Sequence, residues 1–472
     1  MKNVALHNLG CKVNSYEIDV VAQKLQESGY TVVPFDEKAD IYIVNTCTVT
    51  NIADRKSRQM LHRAKKQNPD AVVVAIGCYV QSGKETIEAD DCIDLAIGNN
   101  KKGEIVSIIE AYLKERGLLS QGKVDKTLHD TTVLDLNNTY EYEEMTLKKT
   151  TEHTRAYIKI QDGCNQFCSY CIIPYARGRV RSRRAEDVLN EVRGIVAAGY
   201  QEIVLTGIHI SSYGIDFEED AWKEGKSVEV LKKEGRHDYS GRSKLIDLIE
   251  MIHEVPGLSR IRIGSFEPRI VTEEFCKRLA ALPKVCPHFH LSLQSGCDET
   301  LKRMNRHYTA AEYLRSVENL RSAFERPAIT TDVIVGFPQE SEEEFTQTVK
   351  YLEEISFYEM HIFKYSKRQG TKAADMPGQV SDKVKTARSN VLLELEKKQS
   401  LEYRSYYVGK SVEVLFEEAK VIDGRIYQVG HTKDYVKVAV ETEEDWTNTL
   451  AVVQVAGFLS DEILVALKFT DK

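Results

Sequence analysis

The stretch AYIKIQDGCNQFCSYCIIPY (residues 156–175) runs from a strand-like segment into a loop that holds Cys164, Cys168 and Cys171. Three thiols so close in sequence cannot all pair as disulfides. A closed structural zinc site takes four ligands, and no cysteine or histidine near the loop completes such a set. A C-x3-C-x2-C triplet can instead hold three corners of a cubane [4Fe–4S] cluster and leave the fourth iron open to another ligand. We therefore predict an open iron–sulfur site, with structural zinc and inert thiols as the alternatives.

Strand-like and helix-like segments alternate through the region 155–400 around this loop. The strand candidates are 156–161, 202–207, 260–265, 288–293, 328–337 and 359–366. A capping box, Ser341 with Glu344 three residues later, predicts the start of a helix. Six βα units are too few for a closed eight-fold barrel, so we predict an α/β fold with an open partial (β/α)6 barrel. Its active face would lie at the carboxyl ends of the strands.

The N-terminal region, residues 1–115, also alternates strand-like and helix-like segments in a βαβ pattern, which predicts an open parallel α/β sheet. Strand-like runs at 3–9, 40–45 and 71–77 are each followed by a cysteine, and these are Cys11, Cys47 and Cys78. The carboxyl ends of the strands border the ligand crevice in such sheets, so the three thiols can converge in space. We predict a second three-cysteine site there, with three unrelated core thiols as the alternative.

The remaining segments complete the domain organisation. Residues 116–154 are polar and weakly periodic and are predicted to be a linker, whereas 214–244 form a charged, glycine-rich insertion to which we assign no function. Short alternating segments from 401 to 472 predict a small all-β barrel. The chain has 472 residues and a net charge of −8, with no apolar run of membrane-spanning length and no signal peptide. We expect a cytoplasmic protein without a membrane partner, whose cysteines stay reduced.

The motif DGCNQFCSYC after a strand, inside a partial barrel, resembles the signature of the radical S-adenosylmethionine enzymes. The continuation IIPYARGRVRSR, the three N-terminal cysteines and the C-terminal β domain, which is similar to a TRAM domain, resemble the methylthiotransferase subgroup. The resemblance covers nearly the whole chain. It implies two [4Fe–4S] clusters and S-adenosylmethionine as cofactors. Cys164, Cys168 and Cys171 would hold the radical cluster, and Cys11, Cys47 and Cys78 the second one, while Cys92 falls outside both motifs and is expected to be structural.

The segments NLGCKVNSYE and VNTCTVTNIADRKSR look most like the branch of this family that acts on threonylcarbamoyladenosine. This resemblance implies a tRNA methylthiotransferase that modifies C2 of that nucleoside at position 37. The implied partners are the tRNA anticodon stem-loop and an electron donor such as flavodoxin or ferredoxin. Three alternatives stay open: the enzyme for isopentenyladenosine at the same position, a radical enzyme that acts on protein, and a non-catalytic RNA-binding module stapled by metal.

Further positions are predicted from their place at strand ends or from their charge. Residues expected to contact S-adenosylmethionine are Thr206, Gly207, Ser265, Glu267, Gln294 and Gly336. A glycine at 336 would permit close approach of the adenine. The RNA phosphates are expected to contact Arg177, Arg179 and Arg181 together with the basic stretch 55–66. Asp332, within a strand, is assigned no role, and no residue outside the clusters is predicted to be catalytic.

Overall fold

The computed structural model describes residues 2–115, 117, 130–136, 139, 141–149, 154–217 and 243–467. Most of the predicted insertion 214–244 and part of the predicted linker 116–154 therefore lie outside the described residues. No helix among the described residues combines the length and the apolar character needed to cross a membrane.

The N-terminal region is a parallel sheet of six strands in the order β2-β1-β3-β4-β5-β6. Its strands are β1 (Asn3–Asn8), β2 (Thr31–Val33), β3 (Ile41–Thr46), β4 (Val72–Gly77), β5 (Leu95–Ile97) and β6 (Asp130–Thr132). Its helices are α1 (Lys12–Glu27), α2 (Asn51–Gln67), α3 (Cys78–Ser82), α4 (Lys84–Glu88) and α5 (Ile105–Glu115). Strands β3 and β4 are buried at every position because helices cover both faces of the sheet. The predicted open parallel sheet is confirmed.

The described part of the segment 116–154 does more than link two domains. Strand β6 pairs in parallel with β5 and extends the N-terminal sheet by one strand. Met145 and Leu147 are buried in the hydrophobic core. The linker prediction is wrong for these residues, because a few apolar side chains in a polar segment gave too weak a periodicity to reveal an edge strand.

The central region is the predicted partial barrel. Its strands are β7 (Ala156–Asp162), β8 (Arg181–Ser182), β9 (Glu202–Gly207), β10 (Arg260–Ile263), β11 (His288–His290), β12 (Ala328–Val335) and β13 (Glu359–Lys364). Strands β7, β9 and β10 pair in parallel, as do β11, β12 and β13. Isolated bridges connect β10 to the chain before β11, and the chain after β10 to the chain after β11. Strand β8 is a short antiparallel addition at the edge of β7. All six strand candidates are thus present, in the predicted order.

The helices of this region are α6 (Ile173–Arg177), α7 (Ala185–Ala197), α8 (Lys244–His253), α9 (Glu273–Ala280), α10 (Asp298–Arg303), α11 (Ala310–Ala323), α12 (Glu342–Ile355) and α13 (Asp382–Ser405). The longer helices pack around the strands, whereas the short α6 packs against α3 of the N-terminal region. The predicted capping box is present at α12. The Ser341 hydroxyl accepts from the Glu344 backbone N–H, and the Glu344 carboxylate accepts from the Ser341 backbone N–H. Along β12, Ile329, Val333 and Val335 pack in the core beneath these helices, so the alternate residues face the lumen of the barrel.

The C-terminal region is a closed five-stranded barrel in the order β14-β15-β16-β18-β17. Its strands are β14 (Ser411–Ile422), β15 (Arg425–Thr432), β16 (Lys437–Glu441), β17 (Thr449–Ser460) and β18 (Ile463–Leu467). The small barrel packs against the amino ends of the central strands, where Arg260 and Arg262 of β10 donate to the carbonyls of His431 and Lys433 at 3.0 Å each. The lumen is therefore closed at its amino end and opens toward the carboxyl ends of the strands.

Candidate active site

The cysteine loop begins with a turn that only glycine accommodates. Strand β7 ends at Asp162, and Gly163 follows with a φ of +72°. A Cβ atom at Gly163 would lie 1.8 Å from the carbonyl oxygen of Arg179, so no other residue fits the turn. The Cys164 N–H then donates to the Gly178 carbonyl at 3.0 Å, which ties the loop to the chain that leaves it.

The three thiols of this loop interact electrostatically with one another. Burial is the main cause that raises the pKa of Cys164 to about 12, and it also raises the pKa of Cys171. A cation lies beside them, since Nη1 of Arg306 is 3.3 Å from Sγ of Cys168. Three soft sulfur donors next to a half-buried guanidinium suit a cluster that binds thiolates and carries net negative charge. The donor set therefore fits a [4Fe–4S] cluster.

The second set of thiols lies at the carboxyl end of the N-terminal sheet. Cys11 directly precedes α1, Cys47 follows β3, and Cys78 begins α3 after β4. The three thiols interact electrostatically, so the fold brings together residues that are up to 67 positions apart. Burial raises the pKa of Cys11 and raises that of Cys47 to about 11. Cys11 is nevertheless exposed, so this set of thiols is open to solvent on one side.

Arg177 connects the two sets of thiols. Its Nε donates to Sγ of Cys78 at 3.1 Å and its Nη2 donates to Oδ1 of Asn14 at 2.7 Å, while the residue itself follows the first cysteine loop in α6. The Arg177 side chain is 0% exposed, and so is Arg181. The prediction that these two arginines contact RNA phosphates is therefore wrong, because neither reaches the surface. Arg179 is half-buried with its guanidinium 4.5 Å from the ring centroid of Phe167, and its RNA contact stays a prediction.

A buried ionic network surrounds Arg177. Glu17 of α1 accepts from Arg177 at 2.8 Å, from Lys159 at 2.9 Å and from Lys102 at 2.7 Å. Burial acts to raise the pKa of Glu17, but the three cations outweigh it and hold that pKa well below its usual value. Asp162 lies 2.7 Å from Lys159 and shares Arg177. This network was not predicted from the sequence. The feature that indicates it is Lys159, a charged residue within the otherwise buried strand β7.

The residues predicted to contact S-adenosylmethionine lie at the carboxyl ends of β9 to β12. Thr206 is buried and Ser265 is exposed. Gly207 passes close to β7, because a Cβ atom there would lie 3.0 Å from the Gln161 carbonyl oxygen. Glu267 is placed best among them, since its charge interacts with Arg306 and Cys164 at the cysteine loop. Its contact with the cofactor stays a prediction, as do those of the others.

Gln294 and Gly336 hold the chain in left-handed turns beside β12. Gln294 has a φ of +74°, and its N–H donates to the Asp332 carbonyl at 2.9 Å. Gly336 has a φ of +69°, and a Cβ atom there would lie 2.3 Å from Cγ of Lys385. The glycine is thus required by its turn and by the lysine packed against it, and its proximity to the adenine remains a prediction.

The basic stretch forms a largely exposed face on α2. The side chains of Arg55, Lys56, Arg58, Arg63 and Lys66 are exposed, while Leu61 and Ala64 pack in the core. Arg63 pairs with Asp36 at 2.5 Å on the surface. This face remains the predicted RNA contact.

Cys92 lies away from both thiol sets, beside Asp90, whose carboxylate accepts the Cys92 N–H at 3.1 Å.

Comparisons with known proteins agree with this arrangement. The model of the radical SAM superfamily matches residues 158–352, and that of an uncharacterized protein family, UPF0004, matches residues 3–98. The threonylcarbamoyladenosine tRNA methylthiotransferase MtaB of Bacillus subtilis is 39% identical over 465 residues, which cover 98% of this chain and 96% of the relative. This chain belongs to the radical SAM methylthiotransferase family.

More distant members and solved structures extend the comparison. The tRNA-2-methylthio-N(6)-dimethylallyladenosine synthase of Carboxydothermus hydrogenoformans is 32% identical, covering 94% of each chain. The radical S-adenosylmethionine methyltransferase TsrM of Kitasatospora setae aligns over 79% of this chain and 77% of its own, with a TM-score of 0.51 and 15% identity, a likeness of fold alone. Membership of the radical SAM methylthiotransferases makes this protein an enzyme that uses S-adenosylmethionine and a [4Fe–4S] cluster.

Proposed function

We propose that this enzyme methylthiolates C2 of N6-threonylcarbamoyladenosine at position 37 of tRNA, with S-adenosylmethionine and two [4Fe–4S] clusters. The observation that carries the proposal is the pair of separate thiol sets, with Arg177, which follows one set in the chain, bonded to Cys78 of the other. Relatives named as threonylcarbamoyladenosine tRNA methylthiotransferases, at 35–39% identity over most of both chains, support the choice of nucleoside.

The two thiol sets divide the chemistry. Cys164, Cys168 and Cys171 would hold the cluster at which S-adenosylmethionine is cleaved reductively to an adenosyl radical, and the second cluster would supply the sulfur that is inserted. The protein contributes charge and position. Arg306 places a cation beside Cys168, and Arg177 places another beside Cys78, so each thiol set has a neighbouring guanidinium whose positive charge can balance negative charge on a bound cluster.

Both thiol sets lie at carboxyl ends of strands. Cys11, directly before α1, is exposed at the end of the N-terminal sheet, and Cys164, Cys168 and Cys171 follow β7 of the barrel. The nucleoside would enter there, with the tRNA anticodon stem-loop held outside by the exposed basic face of α2. An electron donor such as flavodoxin or ferredoxin would supply the reducing equivalent, and we place the protein in the cytoplasm because tRNA is modified there.

The test combines cluster reconstitution with nucleoside analysis. Anaerobic reconstitution should give two [4Fe–4S] clusters per chain, and the protein with Cys11, Cys47 and Cys78 replaced by alanine should keep only one. That variant should still cleave S-adenosylmethionine under reductant but form no methylthiolated nucleoside. Tightly bound zinc without cofactor cleavage would instead favour the non-catalytic RNA-binding module.

Mass spectrometry of tRNA nucleosides from a deletion strain decides the substrate. We expect loss of the methylthio form of threonylcarbamoyladenosine and its return when the gene is restored. Loss of the methylthio form of isopentenyladenosine would favour the alternative enzyme, which the similarity to dimethylallyladenosine synthases keeps open. An unchanged nucleoside profile would contradict both and favour a radical enzyme that acts on protein.

A further inference from the structure

Three potential metal ligands converge inside the barrel, apart from both thiol sets. They are His290 of β11, Asp332 of β12 and His361 of β13, each able to offer one ligand atom, and these atoms lie within 4.8 Å of one another. The set contains two imidazoles and one carboxylate. None of the three was predicted to bind a cofactor or a substrate.

The strand register explains why the three side chains meet. Asp332 pairs directly with His361 across β12 and β13, and His290 pairs with Thr330, two positions before Asp332, across β11 and β12. Residues at alternate positions of a strand share a face, and Val333 and Val335 occupy the helix-covered face of β12. Asp332 therefore faces the lumen with both histidines. His290 and Asp332 are half-buried and His361 is exposed, so the cluster is accessible to solvent.

The geometry already orients one of the imidazoles. Nδ1 of His290 lies 3.0 Å from Oγ1 of Thr330, and its Nε2 lies 3.3 Å from Oδ2 of Asp332. A hydroxyl that holds one ring nitrogen leaves the other directed at the centre of the cluster, as is usual for metal-binding histidines. The rings of His290 and His361 are stacked with centroids 5.8 Å apart, and one nitrogen of each lies within 4.8 Å of the other and of the Asp332 carboxylate.

We propose that His290, Asp332 and His361 bind a divalent transition-metal ion inside the barrel lumen. Two imidazoles and one carboxylate on one side of an ion suit Fe²⁺, Mn²⁺, Co²⁺ or Zn²⁺ and leave coordination positions open toward the lumen. An ion pair between His290 and Asp332 accounts for two of the three groups. The strand register brings His361 to the same point as a third potential ligand, which that ion pair does not use.

The open coordination positions of the ion would bind a group of the substrate. Two neutral imidazoles, one carboxylate and a divalent ion carry a net charge of +1, which favours an anionic oxygen ligand. If the proposed function holds, the carboxylate of the threonyl group is such a ligand, and isopentenyladenosine has no equivalent group. The ion would then help to distinguish the two nucleosides.

Binding is tested on the full chain with both clusters loaded, using Mn²⁺ as the probe. Thiols bind Mn²⁺ poorly, whereas imidazole and carboxylate groups bind it, and electron paramagnetic resonance measures the free ion. A His62→Ala background removes the imidazole from a second group of potential ligands, His62, Asp90 and Cys92, near the surface. We expect one Mn²⁺ per chain, released on addition of Zn²⁺.

Variants decide whether the ion binds where we place it. His361→Ala and Asp332→Asn should each weaken Mn²⁺ binding at least about tenfold, with an unchanged circular dichroism spectrum. His253→Ala, at the end of α8 and outside the cluster, is the matched control and should bind as the parent does. Absence of Mn²⁺ binding in the parent, or unchanged binding in both cluster variants, would overturn the proposal and leave a His290–Asp332 ion pair.

The link to the substrate is tested separately. A stem-loop that carries threonylcarbamoyladenosine should raise the affinity for Mn²⁺, and the same stem-loop with isopentenyladenosine should not. Equal Mn²⁺ affinity with the two stem-loops would overturn the ligand role while the ion site stands. The proposed function is decided independently by the nucleosides found in the deletion strain.

Discussion

Replacing Glu17 by glutamine should destabilise the protein more than any other single charge removal in α1. Glu17 is 0% exposed and lies within 3 Å of the side-chain nitrogens of Lys102, Lys159 and Arg177, which are also 0% exposed. Glutamine has nearly the same shape, so the packing is kept and only the charge is removed. Lys159 and Arg177 would then depend on Asp162 as their nearest carboxylate, whereas the ion pair of Lys102 with Glu17 would be lost.

The magnitude follows from what the substitution leaves behind. Removing one partner of a buried ion pair costs about 3–5 kcal/mol, mainly because the remaining charge stays buried without compensation. Here three cations lose a shared partner and only Lys159 and Arg177 contact Asp162, so we expect about 4–5 kcal/mol. The charge of Glu17 contributes stability that is complete above the pKa of an unfolded glutamate and disappears only as the pH falls through its lowered folded pKa. The difference between parent and variant should therefore be constant from neutral pH down to about pH 5 and shrink only in stronger acid.

The assay is urea denaturation of the cluster-free protein followed by circular dichroism at neutral and acidic pH. The matched control is Glu27→Gln, at the end of the same helix, whose pair with Lys148 is 49% and 70% exposed. An exposed pair of this kind contributes less than about 1 kcal/mol. Equal midpoints for the two variants would refute the reasoning, because they would mean that the network around Glu17 is not desolvated in solution.

Three further predictions concern the loop, the thiols and the RNA-binding face. Gly163→Ala should destabilise the cysteine loop by more than about 3 kcal/mol and lower the iron bound on reconstitution, because the new Cβ meets the Arg179 carbonyl oxygen at 1.8 Å. Gly199→Ala, also at positive φ but with open space around it, should cost only about 1–2 kcal/mol, and equal effects would contradict the steric account. In cluster-free protein, Cys47 should react slowly with iodoacetamide at pH 7. Its rate should rise about tenfold for each unit of pH up to its pKa of about 11. A rate equal to that of a free thiol would show that burial does not protect Cys47. The raised pKa also means that folding stability from this thiol is present at neutral pH and declines as the pH rises above about 9. Finally, Arg55→Glu combined with Arg58→Glu should weaken tRNA binding. The slope of log affinity against log salt should fall by about 0.7–0.9 for each phosphate that is no longer neutralised. Arg193→Glu on α7, an exposed control, should leave the affinity and the slope unchanged.

Local patterns in the sequence predicted the parts of the fold that depend on neighbours along the chain. The alternation of apolar residues located all six strands of the partial barrel, and Ser341 with Glu344 located the start of α12. The order of strands and helices predicted a parallel N-terminal sheet and a closed C-terminal barrel. Such patterns failed for β6, where three residues in a polar segment complete a sheet, because pairing with β5 decides that strand rather than its own composition.

The sequence alone determined which thiols exist and, through the rule that parallel strands end at one edge, where they could meet. Only the tertiary structure decided which charges accompany them. Arg177 and Arg181 belong to a basic run that predicts an RNA contact, yet both are buried, and Arg177 bonds to Glu17, a residue 160 positions earlier. His290, Asp332 and His361 form no motif in the sequence and converge only through strand register. The physical reason is the same in each case. The free energy of burying a charge, or of binding a shared ligand, depends on partners that are distant in sequence. Only the packing of the folded chain brings those partners together.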